Sequence, residues 1–162
     1  MVSPMFARYY VELAQPFDAV QARLLDDADS WIPGLLEAAE DRGRHLLTEV
    51  GLSAEGRRID KKVEIELGAP QGTPSVTSVP VTWRATGVQW LFPRLDGDIE
   101  LATLGSARTQ LSINARYQPP LGLVGRVLDR ALLHRVAEAT LKDFLDRVAE
   151  RLDGREPAPD RG

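Results

Sequence analysis

Two polar side chains with acid–base chemistry interrupt an otherwise apolar line near the C-terminus. His134 and Glu138 are four residues apart, so on a helix they lie on the same face. An imidazole titrates near neutral pH, and a neighbouring carboxylate favours its charged form. If this face lines a cavity, His134 can hydrogen-bond a ligand or act as an acid or base, with Glu138 as its support.

The functional value of this pair depends on which side of the helix is buried. One stripe contains both residues and continues, at alternating spacings of four and three, with Val127, Ala131, Leu141, Leu145, Val148 and Leu152. A second apolar stripe consists of Val124, Leu128, Leu132, Val136 and Ala139. If the second stripe is the buried one, the pair is a solvated ion pair, which is the more common use of such residues.

Aromatic residues with a polar edge are the next candidates for lining a ligand pocket. Trp83 and Tyr117 lie on the apolar faces of their predicted strands, and Trp31 begins a predicted helix at the expected mouth of the pocket. Trp90 lies between strands, where an exposed ring would mark an interaction surface. The alternative for each ring is plain core packing.

Charged residues of the strands give weaker signals. Arg84 has the opposite parity to Trp83 and is expected to face water, whereas Lys61 shares the parity of apolar residues and can meet a ligand carboxylate from the rim. The acids of residues 96–100 alternate with apolar residues along a strand. This indicates a solvated strand face rather than a calcium loop, whose ligands converge on one point.

Composition excludes several kinds of site. The chain of 162 residues has no cysteine and two histidines, which excludes thiol nucleophiles, cysteine-ligated metals and three-histidine metal sites. Neither a phosphate-binding glycine loop nor a nucleophile elbow occurs. We therefore expect no metal and no cofactor. The net charge of −4 and the pI near 5.2 argue against nucleic-acid binding.

The ends of the chain bear on location and domain organisation. Residues 1–10 lack the basic region and apolar run of a signal peptide, and no stretch approaches the ~20 apolar residues that span a bilayer. We therefore expect a cytoplasmic protein without stable membrane insertion. We also expect one domain over residues 1–153 and a disordered, proline-rich charged tail over residues 154–162.

Hydrophobic periodicity predicts the first three elements. Residues 6–14 predict a strand. Pro16 opens a short helix whose apolar stripe consists of Val20, Leu24 and Leu25. Ser30 is the predicted N-cap of a second short helix through Glu40, with Gly43 as its stop.

The remaining chain predicts a sheet and one closing helix. From residue 45 to residue 118, beginning with Leu46, Thr48 and Val50, apolar and polar residues alternate, with turns at residues 51–56 and 68–74. This predicts five or six antiparallel strands, each with one buried face. Residues 121–153 predict a single helix, ended by Gly154, that is about 45–50 Å long and crosses the sheet.

This order of elements resembles the START-related helix-grip superfamily, also called SRPBCC, which includes polyketide cyclases, lipid-transfer domains and plant hormone-binding allergens. The resemblance covers about residues 5–152. In the N-terminal half it rests on Pro-Phe-Asp-Ala-Val at 16–20 and Trp-Ile-Pro-Gly at 31–34. In the C-terminal half the sequence resembles uncharacterised actinobacterial members at residues 95–101, 116–122 and 133–138.

The resemblance implies an α+β helix-grip fold, with a curved antiparallel sheet of about six to seven strands wrapped round a long C-terminal helix. It places two short helices after the first strand. It also implies a hydrophobic ligand pocket under the long helix. It assigns no catalytic residue, because members of the superfamily share almost none.

Three functions fit these observations. The first, which we expect, is binding of a lipid-, isoprenoid- or polyketide-like molecule without catalysis, by Trp31, Trp83, Trp90, Tyr117, His134 and Glu138. The second is a polyketide cyclase, aromatase or dehydratase in which His134 donates or accepts a proton and Tyr117 or Arg84 supports it. The third is a protein-interaction module with an exposed apolar face near Trp90. A homodimer is compatible with each.

Overall fold

The computed structural model describes residues 4–49, 63–85, 92, 94–118 and 130–153. In this part of the chain the strands are β1 Met5–Leu13, β2 Val63–Leu67, β3 Gln71–Thr73, β4 Val76–Ala85, β5 Arg94–Thr103 and β6 Thr109–Gln118. The helices are α1 Phe17–Leu25, α2 Ala28–Glu49 and α3 Arg130–Leu152.

The described strands form one antiparallel sheet. Its order is β1-β6-β5-β4-β2, and the short β3 also pairs with β4. The first and last of these strands in the chain, β1 and β6, are therefore neighbours. A short hairpin joins β5 to β6, as antiparallel pairing allows. In its turn Gly105 has a φ of 77°, a left-handed conformation that glycine adopts without a steric penalty.

Side chains on the inner face of the sheet are arranged in rows across the strands. One row consists of Met5, Tyr117, Leu95, Trp83 and Ile65. The next row consists of Ala7, Ala115, Gly97, Val81 and Leu67. Its residues on β1, β6 and β5 are smaller than those of the first row. The predicted alternation of buried and solvated residues is confirmed along β4 and β5, and along β6 except at Ser112, which is buried although its parity predicted a solvated position.

Gly97 allows two strands to approach closely. A Cβ atom at this position would lie 2.6 Å from the backbone oxygen of Asn114 in β6. That distance is shorter than any real Cβ contact, so a larger residue would force β5 and β6 apart. The glycine therefore helps to set the shape of the sheet beneath the helices.

The long helix α3 packs along β1 and runs in the same direction. The Tyr9 hydroxyl lies 3.4 Å from an Asp146 carboxylate oxygen, and further along both elements the Gln15 amide donates to the Asp153 backbone oxygen at 2.9 Å. Lys142 lies over the Tyr9 ring, and its hydrogen bond with Asp146 raises its pKa. The helix α2 packs beside α3.

The second helix is longer than predicted. Ser30 is not its N-cap but lies in its first turn, where the hydroxyl donates to the Asp27 carbonyl at 2.7 Å. Gly43 is a buried helical residue rather than a stop, and the predicted strand beginning at Leu46 and Thr48 is wrong because both residues are helical. Helical spacing of the apolar residues before Leu46 outweighs the cost of a helical glycine, which is about 1 kcal/mol.

Some expectations differ in detail or fall outside the described residues. Leu25 is 39% exposed, whereas Val20 and Leu24 of the same predicted stripe are fully buried, because the stripe follows the i, i+4 spacing. The predicted loop at residues 68–74 contains β3. The turn at 51–56, Val50, residues 121–129 and the predicted tail at 154–162 lie outside the described residues. No helix in the described part is long and apolar enough to cross a membrane.

We expect opposite effects from adding one methyl group at two glycines. Gly97→Ala should lower the free energy of unfolding by about 1–3 kcal/mol, because the methyl group collides with the β6 backbone. Gly34→Ala should raise it by about 0.5–1 kcal/mol, because Gly34 is an exposed helical position with nothing within 4 Å of a Cβ atom. Urea unfolding measures both, and a Gly97→Ala protein as stable as the native one would contradict the close approach.

Candidate functional site

Three polar side chains are joined at the end of the sheet where α3 begins. The Tyr117 hydroxyl lies 3.2 Å from His134 Nδ1. On the opposite side of the imidazole ring, His134 Nε2 lies 3.1 Å from Glu138 Oε1. The predicted pair of His134 and Glu138 is thus extended by a tyrosine that the sequence singled out separately. The imidazole is hydrogen-bonded to Tyr117 and lies within ion-pair distance of Glu138.

Each of these residues is positioned by its own element. Tyr117 is the penultimate residue of β6, and its odd position in the strand turns the ring towards the inner face. His134 lies in the first turns of α3, and the i, i+4 spacing brings Glu138 next to it. The contact between Tyr117 and His134 therefore depends on how α3 is placed against the sheet.

Hydrogen-bonding capacity assigns the proton positions in this chain. An ionised carboxylate only accepts, so the Glu138 oxygen beside Nε2 favours the tautomer of His134 that carries its proton on Nε2. In the neutral imidazole the other nitrogen, Nδ1, is then an acceptor, and the Tyr117 hydroxyl donates to it. When His134 is protonated, Nδ1–H donates to the tyrosine oxygen instead. The arrangement can thus transfer a proton between the tyrosine and the imidazole.

The chain of hydrogen bonds leads from the surface into the core. The side chains of Glu138 and His134 are 52% and 34% exposed, whereas Tyr117 is 1% exposed. Protons can enter from solvent at Glu138 and His134, while the tyrosine hydroxyl lies in an apolar environment. His134 thus lies between a buried hydroxyl group and a solvent-exposed carboxylate.

Buried aromatic rings surround Tyr117. Phe92 packs edge-to-face against its ring, with a centroid distance of 5.2 Å and an interplanar angle of 78°. Trp83 lies in the same row of the sheet, separated from Tyr117 by Leu95, and is also buried. Trp83 and Tyr117 are therefore brought to one end of the inner face, together with His134.

Neither predicted stripe of α3 is buried in full. The buried face consists of Leu133, Val136, Ala137, Thr140, Leu141, Phe144, Leu145, Val148, Ala149 and Leu152. The first stripe is confirmed over its C-terminal half, whereas Ala131 and Glu138 of its N-terminal half are exposed. In the second stripe Val136 is buried, but Ala139 is exposed. His134 is only half-buried although it shares the stripe of the buried Leu141, Leu145, Val148 and Leu152, because it lies in the first turns of α3.

Trp31 does not join this cluster. Its indole N–H donates to the Asp26 backbone oxygen at 3.1 Å, and the Arg151 guanidinium lies over its ring at 4.9 Å. Arg151 is about 25 Å along the helix from His134. Trp31 is therefore at the other end of α3.

Three further residues, Arg84, Lys61 and Trp90, were considered as candidates from the sequence. Arg84 is exposed on the outer face of the sheet, as its parity predicted. Lys61 and Trp90 lie outside the described residues. No cluster of three or more metal-ligating side chains occurs in the described part of the chain.

Two cavities involve residues away from this cluster. One of about 560 Å³ lies on the outer face of the sheet, with Phe6, Arg8, Arg116 and Asp98 among its lining residues. Another of about 300 Å³ lies between the turn that joins α1 to α2 and the β2–β4 region, next to Leu67.

Two buried residues, Phe92 and Glu40, were not predicted from the sequence as candidates. Phe92 belongs to an irregular segment, where no periodicity indicates which way a side chain points. Glu40 is fully buried on α2, although a buried carboxylate is costly without partners. The sequence indicates the burial of Glu40 in one way: it is a charged residue close to the apolar residues Leu36 and Ala39, which are buried.

No family model matches the chain, and no curated protein matches it in sequence. Among solved structures, a conserved protein from Geobacillus kaustophilus matches with a TM-score of 0.51 and 14% identity, over 93% of this chain and 96% of its own. TTHA0849 from Thermus thermophilus matches with a TM-score of 0.48 and 15% identity, over 91% and 97%. A START superfamily protein from Mycobacterium smegmatis matches with a TM-score of 0.47 and 13% identity, over 94% and 97%.

The first of these matches shows a shared fold and nothing about activity. The curved antiparallel sheet, the pair of helices after β1 and the long C-terminal helix packed on the sheet are those of the predicted helix-grip fold. The fold prediction is confirmed, except that the second helix is long rather than short.

We expect Tyr117 and His134 to be energetically coupled. In a double-mutant cycle of Tyr117→Phe and His134→Gln, the interaction energy should be about 0.5–1.5 kcal/mol, since each single change breaks the same hydrogen bond. Urea unfolding of the four proteins measures it. A matched cycle of Tyr10→Phe with His134→Gln should be additive within about 0.5 kcal/mol, because Tyr10 is exposed on the outer face. Equal coupling in both cycles would contradict the contact.

Proposed function

We propose that this protein binds an apolar small molecule of lipid-, isoprenoid- or polyketide-like character between α3 and the inner face of the sheet. The binding site lies at the end where α3 begins. The observation that carries the proposal is that His134, hydrogen-bonded to Tyr117 and 3.1 Å from Glu138, lies next to an otherwise apolar face.

The apolar part of the ligand packs against the sheet. Trp83 and Tyr117 supply rings with one polar edge, which suit a flat or chain-like apolar molecule. The adjacent row carries Ala7, Ala115 and Gly97, whose small size supports the proposal. Such residues take up less of the space between sheet and helix than the bulky residues of the neighbouring row.

The polar part of the ligand binds to Tyr117 and His134. A tyrosine that donates its proton to the imidazole still has an acceptor lone pair on its oxygen, so it suits a ligand hydroxyl group. Glu138 fixes the orientation of the imidazole ring. We leave Trp31 out of this site, because it packs at the opposite end of α3. A contribution of Trp90 stays a prediction.

The same hydrogen-bonded chain supports a second function. A cyclase or aromatase that folds a polyketide-like chain needs mainly a shaped apolar site and modest acid–base help. Here His134 is the acid or base, Tyr117 transfers the proton to or from the substrate, and Glu138 connects the pair to solvent. Arg84 takes no part, because it lies on the outer face.

Binding is tested with two probes of nearly equal shape, 2-naphthol and 2-methylnaphthalene. We expect the native protein to bind 2-naphthol about three- to tenfold more tightly, because the hydroxyl group finds a hydrogen-bond partner. Tyr117→Phe should remove this preference, and the matched variant Tyr10→Phe should keep it, since Tyr10 lies on the outer face. Isothermal titration measures the affinities. Failure of both probes to bind, or a preference that survives Tyr117→Phe, would contradict the proposal.

Catalysis is tested with a synthetic poly-β-ketone thioester, whose cyclisation changes its absorbance. We expect His134→Gln to lower the rate of cyclisation at least about tenfold, as removal of an acid–base group does, while the affinity for 2-naphthol changes less than about twofold. The control is Glu150→Gln, an exposed change on the same helix. If the native protein does not exceed the rate in buffer, the catalytic alternative is wrong and the binding proposal is untouched.

A further inference from the structure

The strand β1 forms one edge of the described sheet. It pairs with β6 over all nine of its residues, and among the described strands it has no partner on its other side. An edge strand presents a row of backbone N–H and C=O groups that can pair with another strand. Natural edge strands often avoid this with prolines, bulges or charged side chains. Met5–Leu13 contains no proline and pairs without a bulge, and its charges, Arg8 and Glu12, are of opposite sign.

The outer face of β1 carries exposed aromatic residues. Phe6 is 67% exposed and Tyr10 is 58% exposed, the highest values among the large hydrophobic residues in the described part. Between and beyond them lie the exposed charges Arg8 and Glu12. Exposed aromatic residues on an edge strand mark an interaction surface more often than a merely solvated one.

The sequence of outer-face residues is self-complementary about Tyr10. Arg8 lies two residues before Tyr10 and Glu12 lies two residues after it, so all three share one face of the strand. When two copies of β1 pair in antiparallel fashion with Tyr10 opposite Tyr10, each Arg8 faces the other copy's Glu12. This register brings together two opposite-charge pairs and one aromatic pair, each of which stabilises a sheet.

We propose that two copies of this chain associate through β1, in antiparallel register about a two-fold axis at Tyr10, and so form one continuous sheet. Such an interface is isologous, because the same patch serves on both copies. The alternative register, which is centred on Tyr9, places Arg8 opposite Tyr10 and Glu12 opposite Phe6, so it lacks the charge pairs.

Two further features are compatible with this arrangement. Glu12 also lies 3.5 Å from Arg108 of its own chain, but both side chains are more than half exposed, and a carboxylate accepts several hydrogen bonds. On the inner side, Tyr9 contacts both Lys142 and Asp146 of α3.

Single cysteines test the register, because the native chain has no cysteine. In the proposed register the two Tyr10 positions face each other at about 4.5–5.5 Å between Cα atoms, which suits a disulfide. We expect Tyr10→Cys to form a covalent dimer under mild oxidation at least about tenfold faster than Phe6→Cys. The two Phe6 positions are about 27 Å apart in this register, although Phe6 is similarly exposed on the same strand. Equal rates would overturn the proposal.

Charge reversal tests the pairing without any covalent bond. Arg8→Glu and Glu12→Arg each place like charges opposite each other, so each should raise the dimer dissociation constant about tenfold or more in sedimentation velocity. An equimolar mixture of the two variants should restore dimers, because two opposite-charge pairs form again when one chain of each kind meets the other. Circular dichroism checks that each variant is folded.

Three results would overturn the proposal. The first is a native chain that stays monomeric up to millimolar concentration. The second is a native dimer that both charge reversals leave unchanged, since this places the interface elsewhere. The third is a mixture of the two variants that recovers no dimer. None of these results bears on the 2-naphthol experiment, so the proposed ligand site stands or falls separately.

Discussion

The contact between α3 and β1 determines the geometry of this protein. Polar side chains hold the C-terminal end of α3 in place: the Gln15 side chain binds the Asp153 carboxylate and backbone oxygen, and Arg23 donates to the Leu152 carbonyl at 2.8 Å. From that end the helix runs about 28 Å back to His134, at ~1.5 Å per residue. The strand from Gln15 to Met5 covers about 33 Å. The two lengths agree, and His134 therefore meets the row of Met5 and Tyr117.

This agreement explains why the candidate site lies at one end of the molecule. The other end is closed by side-chain hydrogen bonds, including Gln21 to Thr77 at 2.7 Å and Thr109 to the Gln15 carbonyl at 2.8 Å. Those buried polar groups are paired within the fold, as buried groups must be. At the Tyr117 end the polar groups instead form a chain that reaches the surface at Glu138. The polar groups are thus paired within the fold at one end, and at the other end they lead to the surface.

The sequence predicted the sheet more accurately than the helices, for a physical reason. A strand has two faces, so parity alone assigned Trp83 and Tyr117 to the inner face. A helix has a continuous circumference, and α3 is apolar over more than half of it, so the contact of His134 with Tyr117 could not be predicted from helical spacing alone. The length of α2 was missed because Leu46 and Thr48 fit both a strand and a helix. Nothing local indicated that Phe92 packs on Tyr117.

The contacts of His134 with Glu138 and with Tyr117 contribute to stability in different ways. An ion pair as exposed as His134 and Glu138 contributes about 0–1 kcal/mol to stability, and the helix is already held at its other end. Tyr117, by contrast, is buried among apolar residues, where its hydroxyl must be hydrogen-bonded to avoid a penalty of about 1–3 kcal/mol. A phenylalanine would fill the same space in the core without that requirement. The core tolerates the hydroxyl of Tyr117 because α3 brings His134 within hydrogen-bond distance of it, so the placement of the helix and the identity of this core residue depend on each other.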